Sequence, residues 1–367
     1  MTNIVVFNAD KTLEEYANKQ PLFFGPPVGL FDTINKHYPK IWELYKLMKS
    51  LDWDEDEFDY TQCNLDFKNC PKSVSDIMIS TLSWQWESDS VASHSIAPVL
   101  APFITDSSLW AAWSRISENE ILHSATYSTI VRMSFDNPQE VLKQVLSVNE
   151  SLTRLSTIDT VFSNIYTKSH QYALGLITKV DCYDDVFLTV VALYFLERIQ
   201  FIASFAITFT ICSTNVFQSI GKAVQKIAQD ELEVHAELDK EVLKILMSTP
   251  EGKAAFIRLQ PTINKMFNEC IAREHAWTDY LFSEGRALVG TNAETVKQFV
   301  LYCAKEPAKV LSIDTTYKFP SKNPMPHVDD WIDISKTQAA PQEQDGNQYK
   351  LNTIQRDDSN VTFDVGF

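Results

Sequence analysis

Residues 117–127 read Ser-Glu-Asn-Glu-Ile-Leu-His-Ser-Ala-Thr-Tyr, and residues 227–235 read Ile-Ala-Gln-Asp-Glu-Leu-Glu-Val-His. Both stretches sit in long runs with apolar residues at three- and four-residue spacing, which predicts helices. Helical spacing puts Glu120 and His123 on one face, and Glu231 and His235 on one face, while Glu233 points nearly opposite. A lone Glu/His pair on a helix is usually a solvated contact. Two such pairs gain meaning from Glu197, the only acid between Asp185 and Asp230, set between Leu193-Tyr194-Phe195-Leu196 and Phe201-Ile202-Ala203-Ser204-Phe205. A carboxylate in such a helix needs a cation. Asp89, within Trp84 to Ser90, supplies a fourth helix. Two Glu/His helices, one Asp helix and one Glu helix make the ligand set of a carboxylate-bridged dinuclear site in a four-helix bundle. Oxygen-rich ligands with two imidazoles suit iron, with manganese also possible.

The rest of the chain agrees with a large helical protein. Of 367 residues 45% are hydrophobic and 22% charged, enough to bury a sizeable core. Only 9 glycines stand against 22 Phe, 13 Tyr and 8 Trp, which disfavours Gly-rich phosphate loops and turn-dense β-architectures. A net charge of -16 excludes nucleic acid as a natural partner. The six cysteines include no Cys-x-x-Cys, so a disulfide framework or structural zinc site is not expected and a reducing compartment fits. Met1 to Gln20 has no apolar core of a secretory signal, which makes the cytoplasm the expected location. Val186 to Cys212 is apolar enough to raise the question of a membrane span, but Glu197, Arg198 and Gln200 interrupt it, so a buried core helix is expected and no membrane.

Helical periodicity covers residues 32–50, 73–97, 107–134, 139–170, 185–213, 217–247, 251–283 and 293–304. Asp106, Asn137-Pro138 and Thr249-Pro250-Glu251 read as helix starts. The Pro- and Gly-rich stretch from Pro21 to Pro27 separates an N-terminal arm (1–30) from the helical domain (31–336). Beyond it, residues 337–367 read as a disordered tail, polar until the apolar finish Val361, Phe363, Val365 and Phe367, the pattern of a docking peptide.

In this order and spacing the motifs resemble those of the small, radical-generating subunit of class I ribonucleotide reductase, a ferritin-like helical bundle, over nearly the whole chain. They are Ile77 to Ser90, Ser117 to Tyr127, Leu196 to Ala206, Ile227 to Glu231, and Asn323-Pro324-Met325-Pro326 to Ala340-Pro341-Gln342-Glu343. The resemblance implies Asp89, Glu120 and His123 as ligands of one metal and Glu197, Glu231 and His235 as ligands of the other, with the longer carboxylates bridging. It makes Tyr127, one helical turn beyond His123, the site of a tyrosyl radical, caged by Phe201, Phe205 and Ile227. It implies a relay of Trp53, Asp230 and Tyr349 to a separate large subunit, docked through the tail, and a homodimer. The activity so implied is that of ribonucleoside-diphosphate reductase. The runner-up readings are a stand-alone dinuclear oxidase or hydroxylase, which needs no relay, and an iron-binding ferritin-like protein, which needs no tail.

Two departures from the family pattern stand out. Gln229 precedes Asp230 where an Arg is common. The second pair also carries one extra residue, Glu231-Leu232-Glu233-Val234-His235 instead of Glu-x-x-His. A one-residue insertion in a helix is commonly housed as a π turn, so a π turn is expected between Gln229 and His235, with Glu233 directed away from the metals. The remaining histidines, His37, His94, His170, His275 and His327, read as surface or satisfied core residues, and the adjacent Glu274-His275 cannot converge on one face.

Overall fold

The structure is a computed structural model that describes residues 7–26 and 29–333. Its α-helices are α1 (Leu13–Ala17), α2 (Pro39–Ser50), α3 (Thr61–Asn69), α4 (Lys72–Ser95), α5 (Ala97–Leu100), α6 (Ser107–Ser134), α7 (Pro138–Val145) and α8 (Asn149–Ala173). The series continues with α9 (Lys179–Phe195), α10 (Ile202–Cys212), α11 (Gln218–Gln229), α12 (Ala236–Ser248), α13 (Pro250–Leu281), α14 (Ala293–Val310) and α15 (Pro326–Ile332). Two π-helical segments join α9 to α10 (Leu196–Gln200) and α11 to α12 (Asp230–His235). No strand occurs among the described residues, only an isolated antiparallel bridge between Phe23 and Ile104. The all-α ferritin-like bundle is therefore the observed fold. The division into arm, domain and tail is not tested by it: residues 337–367, with Tyr349, lie outside the described residues. Of the arm, Leu22 and Phe23 are buried in the main core, and the Thr105 N–H donates to the Leu22 carbonyl at 2.8 Å.

Local chemistry explains most boundaries, and where the sequence reading was wrong. Asp106 caps α6 by accepting from the Ser108 and Leu109 N–H groups at 2.9 and 3.0 Å. Thr249 caps α13, with Pro250 at the first position. Pro138 starts α7 in the same way, but Asn137 makes no side-chain cap. The helix expected from residue 32 begins at Pro39; the Asp32 carboxylate instead accepts from the Ile34 and Asn35 N–H groups in a turn. The expected 139–170 helix is two, because Val141 and Val145 pack with Ile79 and Val131 in a satellite cluster whereas Ile158, Phe162 and Ile165 face the main core. The helix expected from 185 starts at Lys179, behind a Thr178/Asp181 capping box. The short helices α1, α3 and α15 carried too few periodic residues to be read.

The α4, α6, α9–α10 and α11–α12 segments share the main core. Among the described residues one helical run, Lys179–Cys212, is long and apolar enough to cross a membrane, and 89% of its most apolar window is buried inside the fold. It is the central core helix that Glu197, Arg198 and Gln200 suggested.

The same helix has a buried cation beside it. Arg154 on α8 donates to both carboxylate oxygens of Glu274 at 2.5 and 2.6 Å, to the Gln200 carbonyl, and to the Ser204 hydroxyl at 3.2 Å. Its guanidinium lies 4.0 Å from the Trp84 ring centroid and 5.0 Å from that of Trp277. Glu274 is thus engaged by Arg154, away from its neighbour His275. Losing one member of such a pair strands a buried charge, so Glu274→Ala should lower unfolding free energy by about 3–5 kcal/mol in urea titrations. The double variant Arg154→Met/Glu274→Leu should recover most of that loss. A single variant as stable as the parent would show that the pair is not holding α8 and α13 to the core helix.

Candidate metal centre

Six side chains meet at the middle of these segments. Asp89 comes from α4, Glu120 and His123 from α6, Glu197 from the first π turn, and Glu231 and His235 from the second. All are 0–1% exposed. Their donor atoms form two overlapping groups, Asp89/Glu120/His123/Glu231 and Glu120/Glu197/Glu231/His235, and within each group the donors lie within 4.8 Å of one another.

The two shared carboxylates are oriented like bridges. Glu120 has Oε2 3.7 Å from His123 Nδ1 and Oε1 3.5 Å from His235 Nδ1. Glu231 has Oε1 2.9 Å from His123 Nδ1 and Oε2 3.2 Å from His235 Nδ1. Asp89 belongs only to the first group, with Oδ2 3.8 Å from His123 Nδ1, and Glu197 only to the second. The 2.9 Å contact lacks the alignment of a hydrogen bond, so His123 Nδ1 and Glu231 Oε1 are close without satisfying each other.

The π turn at Asp230–His235 makes this convergence possible. The Ala236 N–H reaches back five residues to the Glu231 carbonyl, which absorbs the extra residue and keeps Asp230, Glu231 and His235 all facing inward. Glu233 is exposed on the other side, as expected. The first π turn was not foreseen. Glu197 enters the cluster, Arg198 points outward and Gln200 pairs with Arg154, directions that a regular helix also separates, so the sequence carried no signal for this turn.

Electrostatically the cluster asks for cations. None of Asp89, Glu120, Glu197 and Glu231 pairs with a lysine or arginine among the described residues. Both oxygens of Asp89 and of Glu120, Glu197 Oε2 and Glu231 Oε1 are buried without a hydrogen-bond partner. Burial and then the neighbouring carboxylates push Asp89 and Glu197 well above the usual range. Burial alone would lower His235, but Glu231 and Glu120 outweigh it and push the imidazole up to about 9. Four carboxylates, two imidazoles and no thiolate fit two divalent oxygen-seeking ions, whose four positive charges would match the carboxylates.

Behind the ligand faces the two imidazoles differ. His123 Nε2 lies 3.2 Å from Asp230 Oδ2, which also accepts the Trp53 Nε1–H at 2.8 Å. His235 Nε2 faces the carboxamide of Asn119 at 3.2 Å. Asn119 escaped the sequence reading, although its place four residues before His123 put it on the same face. Asp239, which accepts from Trp113 Nε1 at 3.1 Å and is pushed up to about 7 chiefly by burial, also went unread. Tyr127 is fully buried with no partner for its hydroxyl; burial, then Asp89, Glu231 and Glu120, raise its pKa well above the usual value. Phe201, Phe205 and Ile227 are buried in the same core, the two phenyl rings 5.4 Å apart. Of the other histidines, His37, His170 and His327 bond to Tyr16, Tyr166 and Thr210. None of the five joins either ligand group.

Residues 30–324 match the family model described as ribonucleotide reductase, small chain. The chain belongs to this family. It is 24% identical over 351 residues to the ribonucleoside-diphosphate reductase subunit beta of Haemophilus influenzae, covering 92% of this chain and 93% of that one. Ribonucleoside-diphosphate reductase 1 subunit beta of Salmonella typhimurium is 25% identical over 361 residues, 94% of each chain. The corresponding subunit of Enterobacteria phage T4 is 24% identical over 366 residues, 92% and 93% of the two chains. Among solved structures, a ribonucleotide reductase R2 subunit from Clostridium botulinum superposes with a TM-score of 0.78 at 18% identity, over 90% of this chain and 98% of that one. Streptococcus sanguinis dimanganese(II)-NrdF gives 0.67 at 16% identity, over 84% and 100%. The chain is a ribonucleotide reductase small subunit, an oxidoreductase component that works with a large subunit, and the stand-alone oxidase and iron-store readings fall away.

If the orphaned carboxylates are the binding groups, Mn(II) should stabilise the metal-free small subunit by about 2.7 kcal/mol for each ion bound at a hundredfold excess over Kd. A rise in melting temperature should appear for the parent and for Glu233→Gln, and shrink for Glu231→Ala and His235→Ala. A Glu233→Gln variant that loses the rise while Glu231→Ala keeps it would reverse the assignment of the second pair.

Proposed function

We propose that this small subunit holds two metal ions, one on Asp89, Glu120 and His123 and the other on Glu197, Glu231 and His235, with Glu120 and Glu231 bridging. The observation that carries the reading is that each of these two carboxylates turns one oxygen to each imidazole. Iron is the first choice and manganese the second, the metal named for the Streptococcus sanguinis relative. Bound ions, raised from the divalent state by oxygen or an oxygen-derived oxidant, would supply the oxidising capacity needed to take an electron from a phenol.

The residues of the chain do the rest. Burial and the nearby carboxylates make a phenolate at Tyr127 unfavourable, so its electron and proton leave together and a neutral tyrosyl radical results. Phe201, Phe205 and Ile227 offer apolar surroundings that keep water and reductants away. Asp230 Oδ2 sits between Trp53 and His123; it fixes the imidazole with Nδ1 toward the cluster and is placed to take the Trp53 Nε1 proton when the indole gives up an electron. Tyr349 would continue that relay to the large subunit, docked by the apolar end of the tail, where the substrate is a ribonucleoside diphosphate. Two copies would form a homodimer, in the cytoplasm.

Tyr127→Phe should keep metal content and melting temperature while losing both the tyrosyl signal in electron paramagnetic resonance and nucleotide reduction by the reconstituted complex. A variant that keeps the signal would move the radical elsewhere. A peptide of residues 348–367 should compete with the full chain for the large subunit; no competition, together with unchanged affinity after truncation at Ser359, would remove the tail from the interface.

A further inference from the structure

The second group depends on irregular backbone more than the first, for three of its four residues stand on π turns against one, Glu231, in the first. Asp89, Glu120 and His123 project from α4 and α6, whereas Glu197 and the Glu231/His235 pair stand on the two π turns. A π turn is a locally less favourable form of a helix and needs outside contacts to be the preferred one. Those contacts are thin on the outer side, where a cavity of about 850 Å³ lies against both turns, lined by Arg198, Ile202, Leu232 and Glu233 among others.

Arg198 bridges that gap. From the first π turn its Nη1 donates to the Leu232 carbonyl of the second at 2.9 Å. Its Nε and Nη2 donate to Glu306 Oε2 on α14 at 3.1 and 2.8 Å, and Glu306 Oε1 accepts from Lys240 Nζ on α12 at 2.8 Å. One planar fork therefore touches both ligand-bearing turns and anchors them, through Glu306, to two flanking helices. We propose that Arg198 is a positioning residue: it locks the two π turns to each other and so sets Glu197 against Glu231 and His235 for the second ion. This rests on the metal reading above.

Charge alone makes the opposite prediction, which gives the test its discrimination. A guanidinium adjacent to Glu197 repels a divalent cation, so removing it would tighten metal binding if electrostatics were its only effect. A lost tie loosens the ligands and weakens binding. Lysine separates the two further, because it keeps the charge but lacks the fork that reaches Leu232 and Glu306 together.

The experiment is calorimetric titration of the metal-free full-length chain with Mn(II), for the parent, Arg198→Ala and Arg198→Lys, with far-ultraviolet circular dichroism to establish that each is folded. The parent should bind two ions. Both variants should still bind two ions, the one on Glu197, Glu231 and His235 about tenfold or more weakly, the usual scale for losing a residue that orients ligands, and the other, which shares only Glu231 with the π turns, by a smaller factor. Should the alanine chain not fold, the lysine chain carries the comparison. Two ions bound at parental affinity, tighter binding, or equal weakening of both ions would overturn the positioning role alone. A parent that binds fewer than two ions would overturn the metal reading and this inference with it.

Discussion

Four buried carboxylates facing two imidazoles, with no lysine or arginine paired to them among the described residues, are the constraint on which the rest of the structure depends. A group of this charge in an apolar core is unfavourable unless cations enter, and by itself the chain can offset it only with protons, on the acids or on the two imidazoles. Everything around the cluster can be understood as keeping it convergent in spite of that. Long helices bury their apolar faces around it, and Arg154, itself held by Glu274, donates to the Gln200 carbonyl and accepts from the Gln200 Nε2–H at the end of the first π turn. The two imidazoles are held from behind, one by an anion and the other by a carboxamide. That difference makes the two halves of the centre chemically unequal, since the ring backed by Asp230 is the more electron-rich donor.

Much of the site was legible because helices translate spacing into direction. Glu120, His123 and Tyr127 are three and four residues apart on a regular helix, and the structure buries all three, with Glu120 and His123 in the cluster. Glu197 stood out as a charge in an apolar run. The extra residue before His235 demanded a π turn, and Asp230–His235 supplies it. What stayed hidden depended on tertiary partners. Asn119 reads as an ordinary polar residue until His235, 116 positions away, arrives beside it. Arg154 has no local reason to be buried; Glu274, Ser204 and two tryptophans provide it. The break between α7 and α8 was missed because both halves carry apolar residues at helical spacing, and only the two different clusters they join show that the chain turns.

The proposed relay and the carboxylate–imidazole cluster would share one atom, Asp230 Oδ2, which accepts from Trp53 and contacts His123. In the proposed function this would couple oxidising power and its export through hydrogen bonds, with the Trp53 and His123 rings nearly parallel at 6.0 Å. The extra residue in the second pair does not disturb this, because the π turn leaves Asp230 and His235 both facing inward and turns only Glu233 out.

The central claim is a dinuclear centre divided between two helix pairs, and anomalous X-ray diffraction from crystals of the manganese- or iron-loaded chain tests it most directly. Two peaks are predicted, one within bonding distance of Asp89, Glu120 and His123 and the other of Glu197, Glu231 and His235, with an oxygen of Glu120 and of Glu231 on each. A single peak, or a second peak coordinated by Glu233 with Glu231 turned to solvent, would contradict the account.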